Sequence, residues 1–431
     1  MLRNTTRGEG MRSRHTRTWT TALVGLVAVA AAACSSSSSS SPPTTAAPAS
    51  STVSTLPDNV ATGEPIKIGF LNDEGGAAFS VPELTVGSKI AVEYVNQKLG
   101  GVNGRPLEVV RCTSDGSPER SIACANQFVE EHVVAVQEGV DLGADAILPI
   151  LTDAGIPLIG HVQFGPARMF DANSYYFGTA AIAYGGAALK YYDDQGAGSV
   201  EFFLPDAPSS HAFTDGVLTP TAAALGLEYK TVYYDPASPN YAVLAATTVA
   251  DNPDVSGTIA ATDGQCADLV SGLRDAGYQG MILAASCQSL YKAIGNKAVD
   301  VDVDLDHWSP ADVESAPAPK QADLKLYADL MTAGGHADLV QGNAFVSFAD
   351  TITFADILRT IDGTIDGKSV SAALMAAKGV ESFAGPTITC DHSVLPGNSA
   401  CAAGLLFFRI QSDGSYKAMT DDFLSGVVPQ G

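Results

Sequence analysis

The chain has 431 residues, roughly three times an ordinary single domain, which fits two compact lobes with appendages better than one small core. Hydrophobic residues make up 46% and charged residues 16%, with 42 glycines and 23 prolines, a balance that excludes a disordered or coiled-coil chain. Lys and Arg number 24 against 47 Asp and Glu, a formal charge of −23; without residues 1–33 the balance is 19 against 46, or −27, which argues against binding nucleic acid or anionic lipid by charge.

Residues 1–33 read as a secretory signal peptide. Arg3, Arg7, Arg12, Arg14 and Arg17 form a basic region, and Trp19 to Ala33 then run without a charge, too short for a comfortable membrane span. Met11 precedes the last three arginines, so either Met1 or Met11 leaves a workable start. Ala31-Ala32-Ala33-Cys34 resembles a bacterial lipobox with alanine in place of the usual leucine. Cys34 is therefore the expected lipidation site, an anchor to the membrane. The alternative is plain cleavage leaving a free thiol, a liability outside the cell. The rest of residues 34–64 is rich in Ser, Thr and Pro; it cannot bury apolar area and reads as an extended linker.

From Pro65 short β-branched runs alternate with Ala-rich stretches. IKIGFL at Ile66, LEVVRC at Leu107, VVAVQ at Val133, IPLIG at Ile156, SVEFFL at Ser199, YKTVYY at Tyr229, GTIAAT at Gly257 and GMILAA at Gly280 predict strands. Helices are predicted over Val86–Lys98, Pro118–Glu131, Ala144–Ala154, Ala183–Asp193, Asp215–Leu225, Tyr241–Ala250 and Gln265–Ala276. Gly100, Gly155, Gly226 and Gly277 stand where helix C-termini favour glycine. Strand, helix, strand in repetition means right-handed crossovers and parallel sheets covered on both faces, with a ligand site at the strand C-terminal ends.

Asp300 to Asp306 alternates acid and apolar residues, so Asp300, Asp302, Asp304 and Asp306 share one face of an extended segment. It reads as a half-buried strand with a solvated acidic face, placed to connect two lobes. The central Gly and bidentate Glu of a calcium loop are missing at the required offsets.

Setting Cys34 aside, six cysteines remain in a chain with an export leader, where disulfides persist. Six allow fifteen pairings, but each has one near neighbour, and Pro396-Gly397 offers a turn between Cys390 and Cys401. The expected pairs are Cys112–Cys124, Cys266–Cys287 and Cys390–Cys401. No C-x-x-C or H-E-x-x-H spacing occurs, so no metal site is expected.

From Ile66 onward the chain resembles the type I periplasmic binding fold, specifically the leucine/isoleucine/valine-binding-like solute-binding proteins of ABC transporters. The carriers are IKIGFL, the run GSKIAVEYVNQKLGGVNGRPLEVVRCTSDGSPERSIACANQFV, DAGIPLIG, LRDAGYQGMILAAS and AGPTITCDHS, in that order. The resemblance implies an α/β protein of two doubly wound parallel-sheet lobes joined by a multi-strand hinge. Lobe 1 would comprise residues 65–178 and 309–385, and lobe 2 residues 179–308 and 386–431, with crossings near Phe177–Thr179, Asp306–Ser309 and Gly385–Thr387.

It also implies an extracytoplasmic lipoprotein that encloses a small polar molecule, amino acid-like, amide or related, between its lobes. The solute would pass to permease and ATPase subunits, and no cofactor is needed. Family positions that clasp an amino acid fall here on Phe79, Ser80, Asp141, Gly143, His161 and Gln163 in lobe 1, and on Ser210, His211, Thr262, Asp263 and Ser286 in lobe 2. Asp141 would repel a carboxylate, so these residues point to a neutral or cationic solute, with Asp141 and Asp263 as acceptors.

Two other function classes compete with this reading. No G-x-S-x-G, Walker A, G-x-G-x-x-G or zincin motif occurs, so catalysis is not expected, although His161, His211 and His392 lie in loop-like stretches. A ligand-sensing or protein-interaction role on the same fold remains the alternative to transport.

Overall fold

The computed structural model describes residues 58–76, 80–259 and 262–427. The expected leader, Cys34, most of the linker and Phe79 lie outside them, as does the side chain of Asp263. The opening strands are β1 (Ile66–Asp73), β2 (Leu107–Ser114), β3 (Val136–Glu138), β4 (Leu158–Gly160) and β5 (Ser174–Thr179). They are followed by β6 (Ser199–Pro205), β7 (Glu228–Tyr234), β8 (Val255–Thr258), β9 (Met281–Ala284) and β10 (Val301–Leu305). Near the C-terminus come β11 (Lys378–Glu381), β12 (Thr387–Thr389), β13 (Ala400–Ala402), β14 (Gly404–Ile410), β15 (Tyr416–Ala418) and β16 (Leu424–Ser425).

A first sheet runs β13-β5-β4-β3-β1-β2, all neighbours parallel. Ile66, Ile68, Phe70 and Leu71 of β1 are all buried, as both faces of a helix-covered parallel sheet require. A second sheet runs β15-β14-β10-β9-β8-β6-β7, parallel from β7 to β10, with β14 antiparallel to β10 and β15 and β16 antiparallel to β14. β11 and β12 form a separate hairpin.

Local chemistry explains the boundaries. Helix Pro118–Glu130 starts on Ser117, whose side chain accepts from the Arg120 amide, with Pro118 in the first turn. Helix Asp263–Asp275 starts on a capping box between Thr262 and Gln265. Gly155 and Gly226, at φ 67 and 75, end their helices in the left-handed conformation. The stretch 144–154 divides into a 3-10 turn, Ala144–Ile147, and a helix, Leu148–Ala154; Pro149 lacks the amide a continuous α-helix would need there.

The expected disulfides Cys112–Cys124, Cys266–Cys287 and Cys390–Cys401 are all present. They tie β2 to the following helix, helix 263–275 to the loop after β9, and the two ends of the 390–401 loop.

Two expectations differ from what is found. The acidic face of 300–306 is solvated at Asp300 and not beyond it: Asp302 and Asp304 are fully buried and Asp306 is 4% exposed. The reason is non-local, since β10 lies between β9 and the C-terminal strand β14 and both its faces are covered. Arg409 of β14 donates to the two Asp302 oxygens from Nε at 2.7 Å and Nη2 at 3.0 Å, and the Tyr191 and Tyr192 hydroxyls donate to Asp302 as well. The last passage between sheets falls at Ala403, between β13 and β14, and not at Gly385–Thr387. Ala400–Ala402 adds itself to β5, so residues 386–402 belong with the first sheet. Among the described residues no helix is long and apolar enough to cross a membrane.

Candidate functional site

In parallel sheets the loops after the strand C-terminal ends are free to carry function. At those ends of the first sheet stand Asp73, Ser114, the loop 139–143 and the loop 161–165. Asp141 is fully buried, its Oδ1 accepting from the Gly143 amide at 2.9 Å and the Ser114 hydroxyl at 3.2 Å. A Cβ on Gly143 would lie 2.4 Å from Ser121 Oγ, so this glycine allows the loop to pack. Burial, with the Asp141 carboxylate alongside, pushes Asp73 up to about 6.

Gln163 is also buried and donates to Asn398 and Ser399 at 3.1 and 3.2 Å. Asp141, Gly143 and Gln163 thus bond inward. Ser80 is exposed and accepts from the Gly75 amide at 2.8 Å. Leu142 and Phe164, 47% and 54% exposed, are also open at this edge, and they were not among the expected site residues. The signal the sequence offers for them is an apolar residue in each loop after a predicted strand.

At the matching edge of the second sheet, His211 Nε2 donates to Asp206 Oδ1, 2.8 Å away, and its ring stacks on Tyr233 with centroids 4.0 Å apart. Ser210, one residue earlier, is half-buried. Thr262 is spent on capping its helix. Ser286 is exposed at φ 58, with its amide and hydroxyl both donating to Asp304 Oδ1. Asp304 is buried and pushed up to about 7 by that burial.

The two edges meet through His161. The ring follows β4, and its Nε2 lies 2.9 Å from Asp306 Oδ1, just past β10. Its Nδ1 lies 3.0 Å from Asp350 of the helix Ala344–Arg359. Burial pulls the His161 pKa down, but the Asp306 and Asp350 carboxylates outweigh it and hold it well above the ordinary imidazole range. Burial raises Asp306, but His161 and then His307 hold it well below the ordinary carboxylate range. His307 Nδ1 is 3.1 Å from the same Asp306 oxygen. The other Asp306 oxygen accepts from the Thr179 amide at 3.0 Å and the Tyr184 hydroxyl at 3.3 Å. A cavity of about 10 Å³, the space of one water, is bordered by His161, Asp306, His307 and Asp350. Asp306, His307 and Asp350 were not expected in a site, because no local pattern links positions 161, 306 and 350.

Comparison with known proteins places this architecture. A family model described as periplasmic binding protein matches residues 65–414. No curated protein sequence matches the chain. Among solved structures, a leucine-binding protein from Thermotoga maritima superposes with a TM-score of 0.66 at 14% identity, covering 84% of this chain and 99% of that one. An ABC transporter substrate-binding protein from Aeropyrum pernix gives 0.68 at 15% identity, covering 84% and 96%. An extracellular ligand-binding receptor from Rhodopseudomonas palustris gives 0.62 at 18% identity, covering 83% and 100%. The structure has two sheets joined by three passages, their strand ends brought together at His161 and Asp306; the family model spans over four fifths of the sequence, and the chain belongs to the periplasmic binding protein family.

Proposed function

We propose that this protein is an extracytoplasmic solute-binding lipoprotein of an ABC transporter. It would be anchored through Cys34 after loss of residues 1–33, with residues 34–64 as the tether. It captures a small polar molecule, amino acid-like, amide or related, between its two lobes and presents it to a permease. The observation that carries this reading is the 2.9 Å contact of His161 with Asp306, which joins the strand C-terminal edges of the two sheets, the edges where open α/β sheets bind ligands.

The solute surface we assign consists of Leu142, Phe164 and Ser80 on the first lobe and Ser210 and His211, backed by Tyr233 and Asp206, on the second. Apolar and aromatic groups there supply contact area, and hydroxyl, imidazole and carboxylate groups supply hydrogen bonds, as in small-molecule sites generally. Asp141 and Gln163 support the loops behind this surface through their internal bonds. Asp263, at the first turn of its helix, remains the expected acidic partner from the second lobe.

The test is mass spectrometry of small molecules released on gentle denaturation, with a thermal-shift panel of amino acids, amides, polyamines and aromatic acids. A true solute at one hundred times its Kd stabilises by about 2.7 kcal/mol, and Phe164→Ala or His211→Ala lowers its affinity about tenfold or more. Silence across the panel with a folded protein would overturn the transport reading in favour of sensing or protein interaction.

A further inference from the structure

His161, Asp306 and His307 bring two imidazoles and one carboxylate to a single point, with one ligand atom from each lying within 4.8 Å of the others. His161 Nε2 and His307 Nδ1 approach the same Asp306 oxygen at 2.9 and 3.1 Å. Those separations are close to the edge of a tetrahedron, about 3.3 Å, formed by nitrogen and oxygen ligands 2.0–2.1 Å from a metal. The supporting groups fit as well. Asp350 engages the far nitrogen of His161 at 3.0 Å, the carboxylate–histidine arrangement that orients a metal-binding imidazole. Thr179 and Tyr184 fix the other Asp306 oxygen and leave Oδ1 toward the two rings.

Two further polar atoms at this spot lack partners: His307 Nε2 and Asp350 Oδ2 are buried without a hydrogen bond, in residues only 3% exposed. The adjoining cavity of about 10 Å³ has room for one water as a further ligand.

We propose that His161, Asp306 and His307 bind one divalent transition cation of the zinc class at the junction of the two lobes, with Asp350 as the positioning residue behind His161. Imidazole and carboxylate suit zinc and its neighbours, and the site has no thiolate that would select copper(I). Because His161 follows β4 of the first sheet and Asp306 follows β10 of the second, the ion would tie the lobes at their passage. This is distinct from the solute surface and does not depend on its assignment.

The test begins with EDTA-treated, dialysed protein. It should take up a single equivalent of Zn²⁺ with a rise in denaturation midpoint, and Co²⁺ should give an intense visible ligand-field band of low coordination number. His307→Ala and His161→Asn should each abolish the band. Asp350→Asn should retain it while weakening Zn²⁺ by about 10–100-fold. The exposed His132, at φ 56, serves as control: His132→Asn, which tolerates that backbone, should change neither readout. If His307→Ala fails to fold by circular dichroism, His161→Asn decides. Absence of a Co²⁺ band, or Zn²⁺ uptake equal in parent and variants, would overturn the proposal and leave a metal-free His161 bridging Asp306 and Asp350.

Discussion

Arg168 has no exposed surface, and its guanidinium is enclosed by acids. It donates to Glu138, to Asp145 at 2.8 Å and to the Asp141 carbonyl at 2.9 Å, while Tyr176 donates to the other Glu138 oxygen at 2.7 Å. Removing one partner of such a group strands a buried charge, so Arg168→Met should cost about 3–5 kcal/mol. Adding Glu138→Gln should recover much of that loss; chemical denaturation of the single and double variants checks both. Asp73 makes a pH prediction. Its folded pKa of about 6 lies above the ordinary 3.8, so its stabilising contribution is complete below pH 3.8 and is lost as pH rises through 6. Ionising it costs on the order of 3 kcal/mol. Asp73→Asn should therefore gain stability relative to the parent between pH 4 and 6, and a midpoint difference that stays flat over that window would refute the assignment.

At the scale of elements, two features decide packing. Helices Pro82–Lys98 and Ala344–Arg359 approach so closely that a Cβ on Gly87 would lie 1.9 Å from the Ala344 carbonyl oxygen. Gly87→Ala must push the helices apart and should cost about 1–3 kcal/mol, read as a lower thermal midpoint. Each disulfide joins residues 12, 21 or 11 positions apart, and closing loops of that length is worth roughly 3 kcal/mol in the chain-entropy account. Replacing Cys112 and Cys124 by Ser should lower the midpoint while leaving the fold intact. These pairings were legible in the sequence because each cysteine's partner is its nearest one, joined through a single loop or helix. The helix-ending glycines were legible for the same reason, since the left-handed cap is a local requirement.

For the molecule as a whole, the passages between sheets carry the consequences. Trp308 lies two residues past Asp306, is 2% exposed, and meets Phe408 and Phe423 edge-on. The chain has two tryptophans, and the other, Trp19, belongs to the expected leader. Rearrangement of the lobes around a solute should change Trp308 emission, since hinge motion is concentrated at such passages. An unchanged spectrum with a proven tight ligand would place the hinge elsewhere. Anchoring is tested separately: Cys34→Ala should release the protein from the membrane fraction.

What the sequence determines here is what neighbouring residues can settle among themselves: the alternation of strands and helices, the caps, the glycine ends, the short-range disulfides and, through their order, the two-sheet architecture. The side-chain constellations followed a different logic. The strictly alternating aspartates of 300–306 look like a wet strand face until β14, about a hundred residues later, pairs with β10 and brings Arg409 onto Asp302. Likewise His161, Asp306 and Asp350 have nothing in common until three separate segments converge at the passage between sheets. Burial and charge pairing depend on which distant surface covers a residue, and only the tertiary structure supplies that surface.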